Sequence, residues 1–389
     1  MSEHYKVLVI KVPSPVEQTN ADSLELIRIP NTDYQCVVKK GQFSEGTLAV
    51  YIPPDSIVPQ HGPFEFLWAD KEFPDGIVPE KYRRITVRKF RGQWSEGLLM
   101  PLSDFWLDFQ GSDNPYVKEG DDVARLIGIT HYEEPEPIDL HGVKTREQYK
   151  KWPPKSFMGW VYWFLSLLGI NPNGTNGANE KPPKDAPPEY NVESYKHYKE
   201  YLHEGEPVTY TEKLHGSNAR YMFDGKKMWV GSKKLWKSER SNCVWRRALK
   251  DNPWIESFCR AYPRHTLYGE VVPTQKGYDY GTKDNVRFFA FDIKHTAGWT
   301  KPWFFAAEDG EGPCRIAFTL DQMVPILAQG PYNEAFAKSL VDGQTAVEGA
   351  KHIREGIVIS PDEERNERGL GRVQLKLKSM IFLEKERGK

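Results

Sequence analysis

The residues most able to do chemistry in this chain gather around one lysine. Lys213 stands in Glu212-Lys213-Leu214-His215-Gly216-Ser217, between an extended run ending at Thr211 and another beginning at Asn218. A lysine on a short bend, beside a glycine that admits close approach to the backbone, becomes a nucleophile once its ammonium proton is removed, by desolvation or by a nearby cation. Taken alone, Lys-x-x-Gly far more often describes a surface lysine in a β-turn. Five further stretches follow it in order. Lys233 ends Gly231-Ser232-Lys233, and Glu270 closes Tyr268-Gly269-Glu270 near the end of a strand. In Phe289-Ala290-Phe291-Asp292, strand alternation sets Phe291 on one face and Asp292 on the other. Glu355 precedes the strand Gly356–Ile359, and in Lys376-Leu377-Lys378 the same alternation points both ammonium groups to one face. Each stretch singly has a plain structural explanation: a turn, a solvated strand face, or a core aromatic.

The elements that must position these groups fall into two blocks. Residues 5 to about 110 are β-rich, with short β-branched runs at 6–12, 24–29, 35–38, 47–52 and 84–88 separated by Gly, Pro, Asn or Asp. Five strands at that spacing predict a small barrel of the OB type, over residues 1–128. Arg83, Arg84, Arg88, Lys89 and Arg91 interleave there with Tyr82, Phe90 and Trp94. That pattern fits phosphate contact with base stacking, and equally a solvated strand face over a core. Val117–Leu126 reads as a short helix. Residues 129–189 have linker composition, with a proline cluster from Pro182 to Pro188 and an apolar run at 157–170 too short to cross a bilayer, expected as a buried or docking helix. The second block, 190–389, mixes helices and strands. Val192–Tyr201 is expected as a helix, as is Asn242–Tyr262 with a break near Pro253, and strands are expected at 286–293, 356–359 and 373–378. The fold class is α+β.

Composition narrows the function classes. The chain has 389 residues and a net charge of -1, so a nucleic-acid surface must come from local segregation of charge. The basic-aromatic segment from Lys233 to Lys250, which includes Trp236 and Trp245, is the favoured place for one. The four cysteines are scattered without C-x-x-C spacing, which argues against a structural zinc or a disulfide framework. The N-terminus lacks a signal-peptide pattern, and a cytoplasmic monomer is expected.

The order of the six stretches, with Thr211–Asn218, His352–Val358 and Ser95–Leu99, resembles the covalent nucleotidyltransferases: ATP-dependent DNA and RNA ligases and the messenger-RNA capping enzymes. Eleven residues follow Lys378, and the barrel-like block precedes the catalytic half. This layout resembles the Deinococcus-type RNA ligases, with an N-terminal OB domain and an ATP-grasp-like nucleotidyltransferase domain of antiparallel sheets and helices. The resemblance implies an ATP-dependent RNA ligase that joins 3′-OH and 5′-phosphate ends of RNA or RNA/DNA nicked duplexes through a lysyl-AMP on Lys213, in nick or break repair. It implies Mg²⁺ or Mn²⁺ held by Glu270 and Glu355, and nucleotide contacts from Glu212, Leu214, Gly216, Lys233 and Phe291, with Phe291 stacked on the adenine. Such a cation favours loss of the lysine's proton and neutralises phosphate charge. Lys376 and Lys378 would supply fixed charge to the transition state. Two positions depart from the pattern: His215 stands where most of the superfamily has Asp, and Lys233 where it has Arg, which forfeits bidentate phosphate recognition. A DNA ligase, an RNA guanylyltransferase and a non-catalytic OB-fold RNA-binding protein are the competing readings.

Overall fold

The computed structural model describes residues 5–18, 20–105, 117–132, 179–239, 241–282, 284–304 and 318–387. It divides into two compact units, one formed by Met1–Pro135, Ser194–Glu200 and Lys378–Lys389, the other by Glu136–Glu193 and Tyr201–Leu377. The expected helix at 157–170 and most of the expected linker lie outside the described residues.

In the first unit, β1 (Leu8–Lys11), β5 (Leu48–Ile52) and β9 (Leu98–Pro101) form one sheet, and β2 (Val16–Glu17), β3 (Leu24–Arg28) and β4 (Gln35–Lys39) another. The central sheet is covered on both faces. Val9, Val50 and Ile52 enter one apolar cluster with Phe64 and Trp68, while Ile10, Ala49, Tyr51 and Leu99 enter a second with Ile27 and Val38. This is the period-2 alternation of a strand with two buried sides. Glu96 N–H donates to the Gln35 carbonyl at 2.8 Å and Val37 N–H to Ser95 Oγ at 3.0 Å, which joins the two sheets along one side of the barrel. Short pairings complete it: β6 (Ser56–Ile57) with β10 (Thr130–His131), and a hairpin of β7 (Arg88–Phe90) with β8 (Gln93–Ser95).

Two local expectations are corrected here. The strand expected at 84–88 begins only at Arg88; Ile85 and Val87 are buried but extended, with Ile85 N–H bonded to the Ser56 carbonyl at 2.7 Å. Val117–Leu126 is not a helix. Its backbone serves β1 instead: Val9 N–H donates to the Asp121 carbonyl, Val123 N–H to the Val7 carbonyl, and Asp122 Oδ1 accepts from Val7 N–H. The open edge of β1 outcompetes helix formation for those groups.

The second unit is built on two sheets. One runs in the order β11 (Asn179–Glu180), β16 (Trp236–Lys237), β15 (Met228–Ser232), β14 (Ser217–Phe223), β17 (Thr266–Val272), β18 (Arg287–His295), β19 (Gly298–Thr300). The other runs β12 (Glu193–Ser194), β24 (Leu375–Lys378), β21 (Gly356–Pro361), β13 (Pro207–Lys213), β20 (Ile326–Pro331). A small hairpin, β22 (Asn366–Glu367) with β23 (Gly371–Arg372), precedes β24. Helices Val244–Asp251 and Trp254–Ala261 are separated at Asn252-Pro253, as the proline requires. They bury Trp245, Ile255 and Phe258 against the first sheet, where Tyr221 OH donates to the Trp245 carbonyl at 2.8 Å. In the first unit as far as Glu200, the helix expected at 192–201 is present as an α-turn, Tyr195–Tyr198, continued by a 3-10 turn to Tyr201.

Candidate active site

Strand β13 belongs to one sheet and β14 to the other, so Leu214-His215-Gly216 is the bend on which the chain passes between them. Lys213 is the last residue of β13 and pairs with Gly356 of β21. That register brings Glu355, just before β21, beside the lysine: Lys213 Nζ donates to Glu355 Oε2 at 2.8 Å. The lysine side chain is 24% exposed and the carboxylate 4%. His215 Nδ1 lies 3.5 Å from the same oxygen.

The bend is held from several sides. Leu214 is buried and anchors it inward. Gly216 N–H donates to Glu270 Oε1 at 3.0 Å, which ties the bend to β17. A Cβ on Gly216 would lie 2.4 Å from the Val271 carbonyl oxygen, so the glycine is required for space beside a neighbouring strand. Glu212, opposite Ile357, is buried, and Oε2 accepts from Ala346 N–H at 2.6 Å. Burial pushes its carboxyl above the usual range, partly offset by hydrogen bonds from Thr345 and Ala346. His215 N–H donates to Tyr280 OH at 2.7 Å. The Tyr280 phenol is pushed well up, first by burial and then by the charges of Glu355, Glu212 and Glu270, so all three carboxylates act on one buried hydroxyl. The rings of Tyr278 and Tyr280 stand edge-on to His352, at 5.0 and 4.4 Å.

The other expected residues are placed by register. Glu270 is opposite Phe289, and Tyr268 opposite Asp292. A bulge between these pairs leaves Phe291 as the extra residue. The expected alternation therefore fails. Phe291 and Asp292 both face Tyr190, with ring centroids of Phe291 and Tyr190 4.6 Å apart and Tyr190 OH donating to Asp292 Oδ2 at 2.6 Å. At a bulge two residues oppose one, and both turn toward the same side. Asp292 is fully buried and neutralised by Lys301, at 3.0 Å, and by Arg372, which also binds Glu364. Lys233 follows β15; carrying the Ala219–Ser232 pairing one step on sets it level with Asn218, which is opposite Glu270. Lys376 and Lys378 are half-buried on β24 while Leu375 and Leu377 are buried, as alternation predicts.

The basic-aromatic segment 233–250 is partly drawn into the core, while Lys234 and Lys250 stay exposed. Trp236, Trp245 and Lys237 are buried, Lys237 Nζ lies 4.5 Å from the Trp245 ring centroid, and Trp245 Nε1–H donates to the Asn218 carbonyl at 2.9 Å. The aromatic surface is spent on the core under β14. In the first unit the basic set splits. Arg83 donates to the Val58 carbonyl and Arg84 pairs with Asp55 while stacking on Tyr132, whereas Arg88, Lys89, Phe90 and Arg91 are exposed on the β7–β8 hairpin. Tyr278, Tyr280 and His352 were not expected at the site; the turn Gly277-Tyr278-Asp279-Tyr280-Gly281, rich in aromatics and glycine, was the available signal.

The donor set suits a divalent cation. Glu355 is a buried carboxylate that already serves a cation, Lys213, and Glu270 stands across the bend from it through Gly216. Among the described residues no group of three or more His, Cys, Asp or Glu side chains forms a complete metal cage, so further ligands would come from phosphate or water.

Comparison with known proteins bears on the fold and on the two matched segments. Residues 206–378 match the RNA ligase family, and residues 7–102 match an OB-fold domain. No curated protein matches the chain in sequence. A Naegleria gruberi RNA ligase mutant solved with ATP and Mn is 19% identical over 99% of this chain and 100% of its own, with a TM-score of 0.70. A second mutant of that ligase without ligand has a TM-score of 0.69, and the ligase with PPi 0.65, both at 19% identity over 98% of this chain and 99% of theirs. No helix among the described residues is long and apolar enough to cross a membrane. Residues 206–378 are thus similar to the RNA ligase family, and they follow a segment similar to an OB-fold domain.

Proposed function

We propose that this protein is an ATP-dependent RNA ligase that seals a 3′-OH to a 5′-phosphate in three transfers. Lys213 Nζ attacks the α-phosphorus of ATP; an N–P bond forms and pyrophosphate leaves. An oxygen of the RNA 5′-phosphate then takes the AMP and frees the lysine. Finally the 3′-OH attacks that 5′-phosphate, the phosphodiester forms and AMP departs. The observation that carries this reading is the Lys213–Glu355 contact of 2.8 Å, at the end of a strand inside the ligase-family domain.

The remaining groups are assigned from their placement. Glu355 and Glu270 would hold Mg²⁺ or Mn²⁺, which when bound neutralises phosphate charge and favours an unprotonated lysine. The similar Naegleria ligase structure with ATP and Mn supports that cofactor pair. Lys376 and Lys378 offer fixed positive charge to the α-phosphate, and Lys233 a point charge on the face of Glu270. Phe291 offers its ring to the adenine. The exposed hairpin residues Arg88, Lys89, Phe90 and Arg91 are the part of the OB unit suited to RNA, as cations for phosphates with an aromatic for a base. We take the substrate to be nicked duplexes of RNA or RNA/DNA in repair, and the protein to act as a cytoplasmic monomer.

Incubation with α-labelled ATP tests the reading. The wild type should become covalently labelled and release pyrophosphate, and Lys213→Ala should not. Labelled Lys213→Ala protein, or a wild type that labels with GTP in preference to ATP, would overturn it. Sealing of a panel of nicked duplexes with RNA or DNA on either side reads the strand preference.

A further inference from the structure

We propose that His215 is a direct ligand of the divalent cation that serves Lys213, and that it biases this site toward transition ions such as Mn²⁺ or Co²⁺ over Mg²⁺. The inference rests on the adenylyl-transfer reading of Lys213 and goes beyond it, to the ion the site selects.

The distance between donor atoms is the first argument. His215 Nδ1 and Glu355 Oε2 are 3.5 Å apart. That is longer than an ordinary N–H···O hydrogen bond. Both donors can reach one ion: with bonds of about 2.1 Å an octahedral ion spans cis donors about 3.0 Å apart, so a closing of about 0.5 Å suffices.

Preorganisation is the second. The His215 side chain is only 11% exposed. Its backbone N–H is fixed by Tyr280 OH at 2.7 Å, and its ring stands edge-on to Tyr278 at 4.9 Å. Tyr278 and Tyr280 are themselves braced against His352. An imidazole held this way reaches an ion beside Glu355 without reorganising.

Charge is the third. Glu355 is 4% exposed, and Lys213 is the cation on its Oε2. A carboxylate this buried, already holding one positive group, draws a second cation to the same oxygen. Glu355 and His215 then contribute one oxygen and one nitrogen, phosphate and water complete the shell, and Glu270 holds the ion through one of those waters, so that no three-residue cage is needed. Imidazole is a good ligand for first-row transition ions, whereas Mg²⁺ prefers oxygen donors and keeps its water.

The test measures binding apart from catalysis. Wild type, His215→Asp and His215→Gln are loaded with an ATP analogue whose α,β-bridge cannot be cleaved. Each is titrated with Mn²⁺ or Mg²⁺ by calorimetry and with Co²⁺ by visible absorption. The wild type should prefer Mn²⁺ over Mg²⁺ by a ratio about 10- to 100-fold larger than either variant. Its Co²⁺ spectrum should change when His215 is replaced. Equal ratios and superimposable spectra in all three proteins overturn the proposal. Lysine labelling by α-labelled ATP is scored in parallel. A labelled wild type with unchanged ion ratios sinks only the role of His215, and a wild type that no ion allows to label sinks the adenylyl-transfer reading.

Discussion

Replacing Gly216 by alanine probes the geometry of the bend more sharply than removing a reactive group. The glycine has no left-handed φ to protect, so the effect comes from space alone. The new Cβ would lie 2.4 Å from the Val271 carbonyl oxygen, 2.6 Å from Val272 Cγ1 and 2.9 Å from Glu270 Cγ. Relief to ordinary contact requires the bend or β17 to move by about 1 Å, and an overpacked site of this kind costs about 1–3 kcal/mol of stability. That movement stretches the Gly216–Glu270 hydrogen bond and displaces Lys213, three residues away on the same bend. A displacement of about 1 Å is enough to slow a positioned reaction about 100-fold, or about 2.7 kcal/mol of barrier. The assay is single-turnover formation of the labelled protein adduct, with urea unfolding run alongside. Gly298→Ala is the control, because a Cβ there meets nothing within 4 Å and its φ is ordinary. Gly216→Ala that labels at the wild-type rate would refute the placement of the bend against β17.

Two further outcomes are expected. Asp292→Ala removes the fully buried carboxylate between Lys301 and Arg372 and leaves Glu364 to balance both cations, so unfolding should cost about 3–5 kcal/mol less; a loss below about 1 kcal/mol in urea titration would contradict the network, and Asp292→Asn with Lys301→Met should recover part of it. His197, edge-on to Tyr34 in the first unit, is lowered by burial from 6.5 to about 4. Its neutral form is favoured in the folded state, so the unfolded chain binds the extra proton between those values. Stability is full above 6.5 and falls as pH drops toward 4, by up to about 3 kcal/mol. Urea midpoints of wild type and His197→Gln should therefore diverge across that window, and parallel profiles would exclude the linkage.

What the residues announce in advance, and what they conceal, follows one division. The order of the motifs singles out both Lys213 and Glu355, and the fold brings them into contact although 142 positions separate them. Alternation likewise foretells the half-buried Lys376 and Lys378 against the buried Leu375 and Leu377. Whatever depends on register is not legible. The bulge that turns Phe291 and Asp292 to the same side arises where β18 passes Gly269, at which a Cβ would meet Phe288 Cζ and the Phe289 carbonyl oxygen at 2.3 Å. The local string Phe289-Ala290-Phe291-Asp292 still reads as regular alternation. The tryptophans of 233–250 misled for a related reason: composition cannot tell a stacking surface from a core, and β14 with its two helices claimed them. His215 lies on the line between these cases. Its identity departs from the pattern in plain view, yet its consequence depends on a 3.5 Å separation that only the Lys213–Gly356 register creates. A substitution that looks like a lost carboxylate in one dimension thereby becomes, in three, a nitrogen 3.5 Å from the carboxylate that Lys213 contacts.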